Sequence, residues 1–263
     1  MRHGWPVRGV VGVCLAIAGS SSVAAQSRVD HRAFNLLLRT YVTSGLVDYR
    51  GFQAQRMELV GYLTSLEPVD PARFASREEQ LAFWINAYNA FVIKAILDRY
   101  PLRSVKQIGG FFGGLRQPIA GRQLSLDDME ERARALGDWR MHIAVVCASS
   151  SCPPLRAEAY VPERLNEQLN EQVRTFLRDP QRGLRVEGNT LWVSKIFDWY
   201  AADVVPPKQL GALRRLTAAK LVPVLIPHLA PEVAQSLQGR KLSLKFLPYD
   251  WALNDQVDTR RTR

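Results

Sequence analysis

The chain has 263 residues, 47% of them hydrophobic and 23% charged, with a formal charge of +10 and three cysteines. That length bounds it to one substantial domain, with little room for a second. The basic excess is spread along the sequence, which excludes nucleic acid as the expected partner and leaves an anionic envelope polymer, a peptide, lipid headgroups or solubility alone as its reasons.

Met1 to Arg8 carry Arg2, His3 and Arg8 without an acid, Val10 to Ala18 are apolar, and Val23-Ala24-Ala25 precede Gln26. This order of features predicts a secretory signal peptide over residues 1–25. The apolar run is too short for a good transmembrane helix, and Cys14 lies inside it, a poor context for lipid attachment. Cleavage would take 25 of the 263 residues, leaving 238 and a charge of +8 once Arg2 and Arg8 are gone. The mature chain is therefore expected in the periplasm or outside the cell, where paired cysteines bond. No later stretch reads as a transmembrane anchor.

No internal repeat or long linker divides residues 27–254, which read as a single α+β domain followed by a basic, flexible tail over residues 255–263. Asp30 to Val42 predicts a helix with Phe34, Leu37, Leu38 and Tyr41 on one face. Gly45 breaks it before a short strand at Leu46–Tyr49, and a second helix is expected from Gln55 to Leu66. Ser76-Arg77-Glu78-Glu79 forms a capping box for a helix that Pro101 stops near Tyr100. Its interior, LAFWINAYNAFVIKAIL, is apolar nearly all round, so it is expected at the centre of the domain. Asn86 and Asn89 interrupt that surface three residues apart. Buried amides are costly without partners, so they either tie loops to the core or line a cavity.

Gly109-Gly110-Phe111-Phe112-Gly113-Gly114 lacks the Lys-Ser/Thr ending of a phosphate-binding loop and reads as a turn or a flap. No cofactor is expected. A hairpin turning at Gly121, a helix from Ser125 to Leu136, a strand at Met141–Val146 and a helix at Val161–Leu177 follow. Leu184-Arg185-Val186 and Leu191-Trp192-Val193 flank Gly188-Asn189 in a second hairpin. Ser194 can cap a short helix with Phe197 and Tyr200. Helices at Lys208–Leu225 and Pro231–Leu237 and a strand at Leu242–Phe246 complete the pattern. Helices interspersed with short antiparallel strands, without a βαβ rhythm, argue for an α+β fold with a buried central helix.

The chemistry concentrates at Cys147-Ala-Ser-Ser-Ser-Cys152, just past the strand carrying His142. Thiolate chemistry needs a base, a positive neighbour or a helix N-terminus to lower the thiol pKa, and a Cys–His pair oriented by a third polar group is one such arrangement. Three readings stand: a catalytic or redox-active thiol, a small structural disulfide ring, and buried free thiols or a metal site. His-x4-Cys-x4-Cys is not a usual zinc spacing, so no metal is expected. The candidate catalytic set is Cys152 or Cys147 as nucleophile, His142 as base, and Asn86 or Asp250 as orienting group. Asp198 and Asp203 are further orienting carboxylates, and Tyr249-Asp250-Trp251 is rich in cleft-lining side chains.

The segments GLVDYRGF (45–52), AFWINAYNAFVI (82–93), RMHIAVVCASSSCPPL (140–155), SKIFDWYAADV (194–204) and FLPYDWALN (246–254) resemble, in order, the domain of unknown function 547 family. That family carries no established reaction. Its domain occurs beside glutaredoxin-type domains in some eukaryotic members, so the resemblance implies a lean toward thiol chemistry. Where the family has an Ile-Glu-His run, this chain has Met129-Glu130-Glu131. The functional expectation is an exported thiol-dependent hydrolase or acyl-transfer enzyme acting on an envelope polymer. Its counterpart is a non-catalytic binding or scaffold module with a Cys147–Cys152 disulfide.

Overall fold

In the computed structural model, which describes Met1, residues 29–211 and residues 215–256, the chain first wraps its own centre. Helix α1 (Arg32–Tyr41) turns Phe34, Leu37 and Leu38 inward and runs into a hairpin of β1 (Val42–Thr43) and β2 (Leu46–Val47). Gly45 makes the turn at φ +81°, where a Cβ would sit 2.3 Å from that of Pro154, so the hairpin packs on the cysteine loop only because this residue has no side chain. Helices α2 (Tyr49–Ala54), capped by Asp48, and α3 (Arg56–Leu66) follow.

Helix α4 (Arg77–Leu97) is the centre the sequence predicts: every residue from Leu81 to Ile93 is buried. Ser76 Oγ accepts the Glu79 N–H at 3.1 Å, while the Glu79 carboxylate reaches one residue further back than a capping box requires, to the Ala75 N–H. The helix ends three residues before Tyr100, whose conformation the following proline restricts. Residues 109–114 form an ordered turn closed by the Gly114 N–H on the Gly110 carbonyl. Strands β3 (Gln117–Ile119) and β4 (Arg122–Leu124) pair as expected, and Ser125 and Asp128 cap α5 (Leu126–Arg134), which packs on α4.

The predicted strand at Met141–Val146 is instead a single helical turn, α6 (Met141–Ala144). The segment is buried all round, so it carries no alternation to separate helix from strand. Its backbone is also spoken for by side chains. Asn89 takes the Ala144 carbonyl and the Val146 N–H, and Gln172 takes the Ile143 carbonyl.

A turn of 3₁₀ helix at Pro162–Arg164 leads into α7 (Leu165–Leu177), whose buried stripe is the predicted one. Strands β5 (Leu184–Glu187) and β6 (Thr190–Val193) form the hairpin. Then come the short helices α8 (Ile196–Trp199), α9 (Ala201–Val204) and α10 (Pro207–Leu210). The helix expected over Lys208–Leu225 is broken after α10 at Gly211 and resumes as α11 (Ala218–Leu225), followed by α12 (Pro231–Leu237). Strand β7 (Ser243–Phe246) joins β6 in parallel, a correction to the all-antiparallel expectation. The long excursion between β6 and β7 permits it, since parallel pairing requires a crossover.

The fold is α+β, with two apolar clusters. One surrounds α4; the other lies beneath the three-stranded sheet. Met141 and Ala144 belong to the first and Ile143 to the second, which leaves His142 on the seam. After β7 the chain returns across the cysteine loop: Ser150 N–H donates to the Ala252 carbonyl, Asn254 N–H to that of Ala148, and Val47 N–H to that of Asn254. Asp255 and Gln256, assigned on sequence to the flexible tail, are held in place. Tyr100 Oη donates to Asp255, and Gln256 donates to the Tyr41 and Leu46 carbonyls. Residues 2–25, where a signal peptide is expected, with Cys14, and the remainder of the tail lie outside the described residues. Among the described residues no helix is long and apolar enough to cross a membrane.

Candidate functional site

Cys147 and Cys152 are joined by a disulfide. Of the three readings, this is the one the structure holds, and in this state neither sulfur is a nucleophile. The Cys147 N–H donates to Cys152 Sγ at 3.1 Å, and Tyr249 Oη lies 3.3 Å from each sulfur. Ser149 donates in turn to the Tyr249 oxygen. Burial, partly offset by that bond, pushes the Tyr249 phenol up to about 12, so it stays a donor.

His142 does not form the expected Cys–His pair: no ring nitrogen bonds a sulfur. Its Nε2 lies 2.9 Å from Asp203 and its Nδ1 faces Glu130 at 3.7 Å, without a hydrogen-bond partner. Because α6 is helical, the ring points along the seam between the two cores and not toward the turn. Asn86 is not an orienting group either; its amide clamps the Tyr160 backbone at both ends, at 2.8 and 2.9 Å. Asp250 is exposed and closes a turn by accepting the Ala252 N–H, while Asp198 pairs with Lys195. Of the carboxylates weighed on sequence, Asp203 is the one that reaches the imidazole.

The electrostatics around His142 follow from burial and from one arginine. Burial would raise Asp203, but hydrogen bonds from Arg134 (2.6 and 3.1 Å) and His142 outweigh it and hold the carboxyl below its usual range. An ionised Asp203 accepts, so the His142 proton resides on Nε2 and Nδ1 carries a lone pair. Burial then pulls the His142 pKa down to about 4 against the attraction of Asp203, and the ring is neutral at pH 7. Tyr200 stacks on it with centroids 3.7 Å apart and hydrogen-bonds Glu130. Burial raises the Glu130 pKa, opposed only in part by that bond. The Glu130 carboxyl thus faces a buried, unmet imidazole lone pair. Leaving such an acceptor bare costs roughly 1–3 kcal/mol.

Both groups open on a cleft of about 440 Å³ that also takes in the disulfide. Tyr88 and Phe112 contribute to its walls, together with Trp199, Tyr249 and Trp251, and Asp127 adds a second carboxylate. The Tyr249 ring lies 4.8 Å from those of both tryptophans, and Trp199 is 46% exposed. Across the imidazole, a cavity of about 90 Å³ is lined by Arg134, Trp139 and Asp203. Among the described residues no cluster of His, Cys, Asp and Glu is placed to hold a metal ion.

Sequence reasoning passed over Glu130, Tyr200, Arg134 and Asp127. One signal was available. Glu130 follows Leu126 by four residues on α5, which places an acid on the buried face of that helix.

The fold and the cleft define an α+β protein with an aromatic-walled site beside a disulfide. Residues 72–177 match the model of the family described as Protein of unknown function, DUF547, and that segment is similar to the family. The matched span carries α4, Glu130, His142 and the disulfide loop; Trp199, Tyr200, Asp203, Tyr249 and Trp251 lie beyond it. No curated protein and no solved structure matches the chain.

Proposed function

We propose that the cleft is the active site of an exported hydrolase or acyl-transfer enzyme acting on an amide or ester of an envelope polymer, with Glu130 as the proton-transfer group. The observation that carries this is the pairing of Glu130, raised by burial, with the unpartnered Nδ1 of a neutral His142. A carboxyl whose pKa burial raises, beside a fixed acceptor, suits general acid–base work. The Glu130 carboxylate takes a proton from the water as the water oxygen bonds the acyl carbon, and the carboxyl so formed gives that proton to the leaving oxygen or nitrogen as the acyl bond breaks. Tyr200 and His142 hold Glu130, and Asp203 with Arg134 holds His142. Export is supported by the basic, apolar and small-residue order of residues 1–25 and by the disulfide, which persists in oxidising compartments.

A thiol-dependent version has its own supporting observation: the Cys147 N–H and Tyr249 hydroxyl both aim at Cys152 Sγ and would stabilise a thiolate there. It requires an external dithiol that reduces the bond and is itself oxidised to a disulfide. The two versions and the non-catalytic module separate in one experiment. The protein, oxidised or after dithiothreitol, is offered p-nitrophenyl esters and p-nitroanilides between pH 4 and 9. Turnover by the oxidised form that falls about 10²-fold or more in Glu130→Gln supports the acid–base reading. Turnover only after reduction, abolished in Cys152→Ser, supports the thiol. Silence in both states leaves the binding or scaffold module.

A further inference from the structure

We propose that the cleft recognises a primary ammonium group. This inference rests on the cleft assigned above and concerns what it binds, not what it does to the bound molecule. The first observation is the sign of the charge. Asp127 and Glu130 line the cleft and, among the described residues, no lysine or arginine does, in a chain whose formal charge is +10. Asp128 next door takes Arg116, but the Asp127 carboxylate has no hydrogen-bond or ion-pair partner among the described residues. Low-dielectric walls of one charge sign concentrate counter-ions at such a place.

The second observation is an unmet acceptor. The His142 side chain is 1% exposed, lines the cleft, and leaves Nδ1 without a partner. With Asp127 and Glu130 this makes three acceptors in the cleft lining and, among the described residues, no cationic donor. A primary ammonium brings three N–H donors and a positive charge, whereas a quaternary one brings the charge and no donor. An anion would meet two carboxylates. The third observation is the aromatic lining. Trp199, Tyr249 and Trp251 present aromatic rings, whose faces attract cations, and the Trp251 ring already holds the ammonium of Lys106 4.7 Å from its centroid. A cleft of about 440 Å³ admits a ring-sized body behind the amine.

Calorimetric titration of the oxidised protein at pH 7 tests this with benzylamine, benzyltrimethylammonium, benzyl alcohol and benzoate. Benzylamine is expected to bind about tenfold or more tighter than benzyl alcohol, and tighter than the quaternary amine. Asp127→Asn and Glu130→Gln should each narrow the gap between benzylamine and benzyl alcohol while leaving the alcohol's affinity unchanged. Equal binding of the alcohol, the quaternary amine or benzoate overturns the proposal. So does a gap that neither variant narrows, or the absence of benzylamine binding at millimolar concentration. A protein selective for benzylamine but silent toward every ester and anilide keeps this inference and loses the proposed activity. Turnover without amine preference does the reverse.

Discussion

The buried amides of α4 and the buried imidazole of α6 are finished to different degrees. Asn86 and Asn89 on α4 each engage a backbone carbonyl and a backbone N–H, at 2.8–3.0 Å, and neither amide atom is left without a partner. His142 is finished on one side only: Nε2 is fixed by Asp203, while Nδ1 faces Glu130 and the cleft with its lone pair unmet. An orphan atom alone does not mark a site. The Tyr160 hydroxyl is also unpartnered, yet Tyr160 does not line the cleft. The combination of an unmet acceptor with an opening is what separates a site from a structural clamp.

If the asparagines are clamps, removing them should unfold the protein more readily than any change at the cleft. Asn86→Ala or Asn89→Ala strips two hydrogen bonds and leaves a buried carbonyl and a buried N–H unpaired, at about 1–3 kcal/mol apiece. A loss of roughly 2–5 kcal/mol is expected in urea unfolding for each. A loss below about 1 kcal/mol would place these residues with the cleft instead.

The next effect is a pH dependence. The His142 pKa is lowered by burial from 6.5 to about 4, and that of His31 likewise to about 4. A histidine depressed in the folded state takes up its proton more readily when unfolded. Its stabilising share is therefore fully present above about pH 6.5 and is lost as pH falls toward 4. At about 1.4 kcal/mol per unit, each shift corresponds to roughly 3 kcal/mol. Stability measured from pH 7 to 4 should fall with the slope of at least two protons, since burial lowers His228 as well, and His142→Asn or His31→Asn should each remove one.

Opening the disulfide should cost less. The ring it closes is short, and the loop-entropy relation gives about 2 kcal/mol for six residues. Ser150 and Ala148 stay tied to the returning C-terminal segment by backbone hydrogen bonds. The Cys147→Ser/Cys152→Ser protein should accordingly remain folded, with a melting temperature lowered by a few degrees. Outright unfolding would mean that the bond, and not the segment, holds the loop.

Much of this frame was legible in the sequence where local chemistry and burial agree. The capped α4, the α7 stripe and the hairpins at Gly121 and Gly188-Asn189 carry their own start, period and turn signals. Met141–Val146 carried none, because a short run buried on every side has no period. The cleft divides in the same way. The cysteines, His142 and the Tyr249–Trp251 pair announced themselves by residue type. Glu130 and Arg134 share α5 while Tyr200 stands just before the distant α9, and only docking between these parts of the chain gathers the three around one imidazole. No local pattern reports that docking.

The smallest expected effect is the sharpest test of the comparison, because its sign is opposite. Burial raises the Glu130 pKa, so above that value the folded protein carries a charge that its surroundings disfavour. Glutamine has nearly the same shape, can still accept from Tyr200, and can donate an N–H toward Nδ1. Glu130→Gln should therefore stabilise the protein at neutral pH, by less than about 1 kcal/mol, the size of one net hydrogen bond. The sign follows from linkage. Below the unfolded-state pKa of glutamate, 4.5, the carboxyl is protonated in both states and the two proteins should be equally stable. The advantage of glutamine should appear as pH rises through the raised folded value. A site kept at the expense of stability behaves this way, whereas a structural carboxylate would cost stability when neutralised. Thermal unfolding of the two proteins at pH 4 and pH 8 decides it: a Glu130→Gln protein less stable than wild type at pH 8 would make Glu130 another clamp, like Asn86.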